Sequence, residues 1–246
     1  MDTTIRKSPL VALGIVIGAS IVLSALIGAF ALYKVRSFDD ALSVTGSARV
    51  RVTSDQAKWT ASISRQVKAS SLRSGYALLA ADLEKTLSFY KTRGVAEESL
   101  VVSPVSMNEV YDYRPGSENR EKEYDLRQTI SLSTSDVAKA ALLAKESQIL
   151  PMEGVIFQTQ SLEYSYSKLP ELRVSLLSDA IKDAKARAEK LAEPSGQSVG
   201  TLKSASLGVV QVMAANSTDV SDYGTYDTSN VEKEVMVTVR AAFTIR

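Results

Sequence analysis

Between Leu10 and Leu32 the chain reads LVALGIVIGASIVLSALIGAFAL, 23 residues with no charge and only Ser20 and Ser24 as polar interruptions. As a helix rising 1.5 Å per residue this stretch reaches roughly 34 Å, enough to cross a hydrocarbon core of about 30 Å. Gly14, Gly18 and Gly28 suit a transmembrane helix better than a soluble one, and Tyr33, Lys34 and Arg36 form an interfacial anchor. Gly14 and Gly18 also make a G-x-x-x-G, a spacing that lets two such helices approach closely.

The same stretch admits two readings. Ala29-Phe30-Ala31 fits an A-x-A processing site, as in a cleaved signal peptide. The apolar run is well beyond the ~7–15 residues of a signal peptide's core, which favours an uncleaved signal anchor. Arg6 and Lys7 are matched by Lys34 and Arg36, so flanking charge barely orients the helix. A short head at 1–9 with Arg6 and Lys7 just before the apolar run implies a cytoplasmic amino terminus. A linker at 33–41 then leads to an exported domain at 42–246, which places the protein in the bacterial inner membrane with its carboxy-terminal part in the periplasm.

Composition narrows the chemistry. The 246 residues contain no Cys and no His. That excludes disulfides, thiol nucleophiles, thiolate metal sites, a Ser-His-Asp triad and imidazole-bound metals. The formal net charge is +1, and beyond residue 37 the balance is 25 basic to 27 acidic residues, so the exported part offers no surface for nucleic acid.

Two alternating segments follow the anchor. Leu42, Val44, Gly46, Ala48, Val50 and Val52 share one face of the first; Ala57, Trp59, Ala61, Ile63 and Val67 share one face of the second, with Ser54-Asp55 as the turn. Such alternation belongs to antiparallel sheets with one face on a core, and it makes Trp59 a core residue. Leu72, Tyr76, Leu79, Leu83, Leu87 and Tyr90 then recur at helical spacing up to Gly94. Strands are expected over about 100–111 and 123–133, around a charged tip holding Pro115-Gly116, with Tyr111, Tyr113 and Tyr124 either pairing across its base or forming a binding surface, the pairing being the simpler reading. Ser135-Asp136 caps a short helix to about Lys145, Val155 to Tyr164 is a strand, and a long helix after Pro170 carries Val174, Leu177, Ile181, Ala184, Ala188 and Leu191 on one stripe. Strands near 199–213 and 235–245 complete a β-β-α-β-β-α-β-α-β-β order, an α+β fold with a largely antiparallel sheet.

From about Ala41 to Arg246 the chain resembles the SIMPL-domain family, which includes the periplasmic immunogenic proteins. The residues that carry the likeness are Leu42-Ser43-Val44-Thr45-Gly46, the Tyr111-Asp112-Tyr113 tip, the helix from Asp183-Ala184-Lys185 to Leu191-Ala192, the Gly196 to Gly200 lead into a strand, and the Val-rich closing strand. The resemblance implies an exported envelope protein that self-assembles, with rings as one form, linked to envelope or oxidative stress. It supplies no catalytic residues. The membrane anchor here departs from the cleaved signal ordinary in that family and implies a tethered protein.

Other chemistry is sparse. Ser165-Tyr166-Ser167-Lys168 has an S-x-x-K spacing that could pair a serine nucleophile with Lys168, but neither S-D-N nor K-T-G accompanies it. Asp219, Asp222, Gly224 and Asp227 hint at a calcium loop, but the twelfth position is Asn230 instead of a bidentate Glu, which leaves a flexible polar loop as the simpler reading. The sequence therefore assigns no catalytic, cofactor-binding or metal residues. It points to a non-enzymatic, homo-oligomeric envelope protein, with two alternatives: an accessory or chaperone subunit docking through loops 112–123 and 214–230, or a hydrolase using Ser165 and Lys168.

Overall fold

The computed structural model describes residues 9–36, 41–111, 120–217 and 221–246. Helix α1 (Pro9–Arg36) contains Leu13–Leu32, 20 residues of mean hydropathy 2.5 that are long and apolar enough to cross a membrane and none of which is buried. After it come β1 (Ala41–Thr53), β2 (Gln56–Lys68), α2 (Leu72–Thr92), β3 (Leu100–Val102), β4 (Ser106–Val110) and β5 (Glu123–Thr134). The rest is α3 (Val137–Glu146), the single turn α4 (Ile149–Met152), β6 (Phe157–Ser165), α5 (Leu169–Ala192), β7 (Val199–Leu207), β8 (Gln211–Ala214) and β9 (Glu232–Ile245). The fold is α+β, with strand order β1-β9-β7 in one sheet, where β8 also pairs β9, and β3-β5-β2-β6 in the other, where β4 also pairs β5.

The expected turn at Ser54-Asp55 exists but makes no hairpin. β1 joins β9 while β2 lies between β5 and β6, because the link bonds elsewhere: Ser54 N–H donates to Val231 O at 2.9 Å and Asp55 N–H to Ser165 O at 3.1 Å. The strand expected over 100–111 breaks at Pro104, where Ser103 trades backbone and side-chain hydrogen bonds with Thr129 and accepts one from Gln128. The strand expected over 199–213 divides at Gly208 into β7 and β8. Pro115-Gly116 and Tyr113 lie outside the described residues, and the register partners of Tyr124 are Glu109 and Val67.

Contacts divide the chain into two compact units. The larger comprises 48–178 and 209–237. Its core gathers Trp59, Ile63, Leu79, Tyr90, Leu126, Ile130, Leu150 and Val155, each no more than 1% exposed. Trp59 meets Tyr90 edge-on at 5.4 Å and Phe157 at 6.0 Å between ring centroids, and its indole N–H donates to Thr159 at 3.2 Å, so the one tryptophan is a core residue as its strand position implied. The buried face of α2 is rotated from the apolar stripe. It carries Gly75, Leu79, Asp82, Thr86, Phe89 and Tyr90, while Tyr76 is 42% exposed. Asp82 holds this face because Arg65 of β2 reaches it with two N–H groups and gives a third bond to Gly154 O. A buried carboxylate without that partner would cost several kcal/mol.

The smaller unit comprises 1–47, 179–208 and 238–246. Here the buried stripe of α5 is Ala180, Ala184, Ala188 and Ala192, while Leu191, expected inside, is 62% exposed. Alanines occupy the stripe because the backbone of β1 lies against it. A Cβ built on Gly46 would stand 2.2 Å from Ala180 O and 2.4 Å from Ala184 N, both backbone atoms that cannot swing away. Next door, Ser47 N–H donates to the Asp183 carboxylate at 2.8 Å, which holds that acid below the usual carboxylate range. Helix α5 ends at Ala192, and Gly196 at φ +68° lets Gln197 N–H turn back to Ala192 O.

Gly46→Ala in the full chain should therefore lower unfolding stability by about 3 kcal/mol or more, since the strand and helix backbones would both have to move. Thermal and urea unfolding in detergent measures this, and an unchanged midpoint would show that the close approach is not stabilising.

Candidate functional site

Four places could carry function. The first is α1. Its hydroxyls are satisfied within the helix, Ser20 Oγ donating to Ile17 O at 2.9 Å and Ser24 Oγ to Ser20 O at 2.8 Å, so neither exposes an unmet polar group along the apolar surface. Apart from the helix's own neighbouring backbone, nothing among the described residues stands within 4 Å of a Cβ built on Gly14, Gly18 or Gly28. The helix thus presents its whole side to its surroundings, as a membrane span or a signal sequence would.

The second is the Ser165–Lys168 stretch. Ser165 closes β6 opposite Gln56, Lys168 is exposed, and Lys168 O accepts from Leu172 N–H as α5 begins. The residue brought to an ionised partner is Ser167, whose N–H and Oγ donate to the two carboxylate oxygens of Asp55 at 2.8 and 2.6 Å. The Ser167 hydroxyl is the main reason the Asp55 pKa falls below its ordinary value. Among the described residues no hydrogen bond joins Ser165 to Lys168. The motif builds the corner between β6 and α5.

The third is the polar segment before β9. Asp219 lies outside the described residues, and the stretch 221–231 is held by several hydrogen bonds. Buried Gln211 accepts from Thr225 N–H and Oγ at 2.9 Å each and donates to Ser221 O, and Tyr164 N–H donates to Thr228 O at 2.7 Å. Asp227 is the hub. Its carboxylate accepts from Ser229 Oγ at 2.6 Å, Ser229 N–H at 3.0 Å and Asn230 Nδ2 at 3.1 Å, with Lys233 Nζ 3.6 Å away. Lys233 is wholly buried, and its ammonium donates to Asp227 O and Asn230 O. Burial pushes the Lys233 pKa down. Burial alone would raise the Asp227 pKa, but the bonds from Ser229 and Asn230 and the charge of Lys233 outweigh it and bring it from 3.8 down to about 2. Sequence reading missed this pair, because a lysine two residues into a strand looks like a solvated one.

The fourth is a set of exposed aromatics. Tyr223 is 97% exposed at the tip of that pinned loop, and Tyr111 is 68% exposed at the end of β4. Tyr223 lies within the loop 214–230 and Tyr111 borders the loop 112–123, the two that sequence reading offered for docking; residues 112–119 and 218–220 lie outside the described residues.

The carboxylate at 227 yields a pH prediction. A depressed folded-state pKa adds stability above the unfolded value of about 3.9, and that increment is lost as pH falls through about 2. The stability difference between the native chain and Asp227→Asn should be full at pH 6 and shrink steadily between pH 4 and 2. A difference independent of pH over that range would contradict the assignment; denaturant titration at several pH values measures it.

Compared with known proteins, the chain matches a family model described as SIMPL, protein of unknown function (DUF541), over residues 42–243. No curated protein matches it.

Proposed function

The chain belongs to the SIMPL family, and on that footing we propose that it is a membrane-anchored envelope protein whose domain faces the periplasm and acts by assembling with copies of itself and binding other envelope proteins. The observation that carries this reading is the junction of α1 and β1. Four residues separate Arg36, the end of a helix whose apolar stretch Leu13–Leu32 contains no buried residue, from Ala41, the start of the domain. Five Cα steps span at most about 18 Å, so an anchor at α1 keeps the domain at the membrane surface. Anchored copies share a plane and a side, which raises their effective concentration for one another.

The mode of action is binding instead of catalysis, and the service is to envelope or oxidative stress. The amino terminus lies in the cytoplasm. A family not known as one of enzymes and a Ser165–Lys168 stretch spent on a structural corner both support binding over catalysis.

A second reading is favoured by Tyr223 and Tyr111. Large aromatic side chains so exposed are what a docking surface for a different protein would present, and the chain would then be an accessory or chaperone subunit of a larger membrane complex.

Mass photometry of the full chain in detergent separates these. Particles at whole multiples of the 26.6 kDa chain are expected, and a strict monomer at micromolar concentration would overturn the assembly reading. A stoichiometric foreign protein that co-purifies from native membranes would support the second.

A further inference from the structure

Helix α5 and strand β1 run in opposite directions. Gly46 lies against Ala180 and Ala184, while Val44 and Thr45, nearer the start of the strand, line an open groove with Ala186, Arg187, Lys190 and Leu191. The last turns of α5 therefore stand beside the first residues of β1. Gln197 N–H donates to Ala192 O at 3.3 Å, which brings Val199, the first residue of β7, to the same end of the smaller unit.

That end is the one an anchor reaches. From Arg36, the last residue of α1, Ala41 is five Cα steps away and Val44 eight, at most about 18 and 29 Å of chain. Leu207, at the other end of β7, lies eight residues beyond Val199, about 26 Å further along the strand.

The groove suits an amphiphilic boundary. Val44, Ala186 and Leu191 make its lining apolar, and Leu191 is 62% exposed. Arg187 and Lys190 stand beside them with 54% and 80% of their side chains exposed. Arg187 Nε lies 2.8 Å from Asp183 and Lys190 Nζ 3.0 Å from Glu193. Ion pairs so exposed hold weakly, and either cation can trade its carboxylate for a phosphate oxygen. Basic side chains with long apolar stems hold their charge among headgroups while a neighbouring leucine meets hydrocarbon.

We propose that this end of the smaller unit rests on the membrane that holds α1, with Leu191 at the acyl boundary and Arg187 and Lys190 on lipid phosphates. This deepens the anchor reading above and rests on it. The tether selects the occupant: a chain of at most about 29 Å ties Val44 to the end of α1, so in every copy the bilayer is delivered to the groove by covalent connection.

The chain contains no cysteine, so one introduced thiol carries one label. Leu191 and Leu207 make a matched pair, 62% and 59% exposed and placed toward opposite ends of β7, and replacing either removes no buried side chain. Full-length chains bearing Leu191→Cys, Leu207→Cys or, in α1, Leu32→Cys are labelled with bimane. They are placed in nanodiscs of phosphatidylethanolamine and phosphatidylglycerol that include a lipid with a nitroxide near the top of its acyl chain. The labels at 32 and 191 should lose most of their fluorescence, and the label at 207 should keep nearly all of it. Quenching at 32 with no more at 191 than at 207 would overturn this surface and leave the anchor standing. No quenching at any of the three would overturn both. Lys190→Glu beside the label at 191 should weaken its quenching, and an unchanged value would overturn the phosphate contact.

Discussion

The contact on which the smaller unit depends is the bare backbone of Gly46 lying against α5. Its geometry dictates the residues around it: no Cβ at 46, alanines at 180, 184 and 188, and an acid at 183 to accept the N–H of Ser47. A helix and strand this close exclude water and side-chain entropy alike, and each position tolerates nothing larger. The stretch around Gly46 and the Asp183-Ala184 helix, which together carry much of the likeness to the SIMPL family, are therefore the two sides of one contact. In the larger unit the comparable role falls to Ser54 and Asp55. Two residues send β1 to β9 and β2 to β5 and β6, and the Asp55 carboxylate fastens that link to Ser167.

Much of this was legible in the sequence. Period-two alternation correctly gave Val44, Gly46, Ala57, Trp59, Ala61 and Ile63 their inward faces, and the Asp136 cap and the glycine stop at 94 follow from helix-end chemistry. Partnership between strands was not legible. A two-residue link looks the same whether it closes a hairpin or sends the chain to a second sheet, because its bonds go to Val231 and Ser165, far off in sequence. The helix stripes were misjudged for a related reason. Counting apolar residues places Leu191 and Tyr76 inside, whereas Ala180, Gly75 and Asp82 are buried, since close backbone approach and a pairing arginine reward residues that a hydrophobic pattern ignores.

The same holds for the polar residues that looked like chemistry. Ser167 serves Asp55, and Asp227 with buried Lys233 stiffens the approach to β9. Among the described residues the exposed apolar surface includes helix α1 and the two tyrosines Tyr111 and Tyr223.

Electron cryo-microscopy of the full chain in lipid nanodiscs tests the central claim most directly. The account predicts α1 spanning the disc, every domain on one side of it, and copies joined in one particle. A density map with α1 outside the bilayer, or with single domains on every disc, would contradict it.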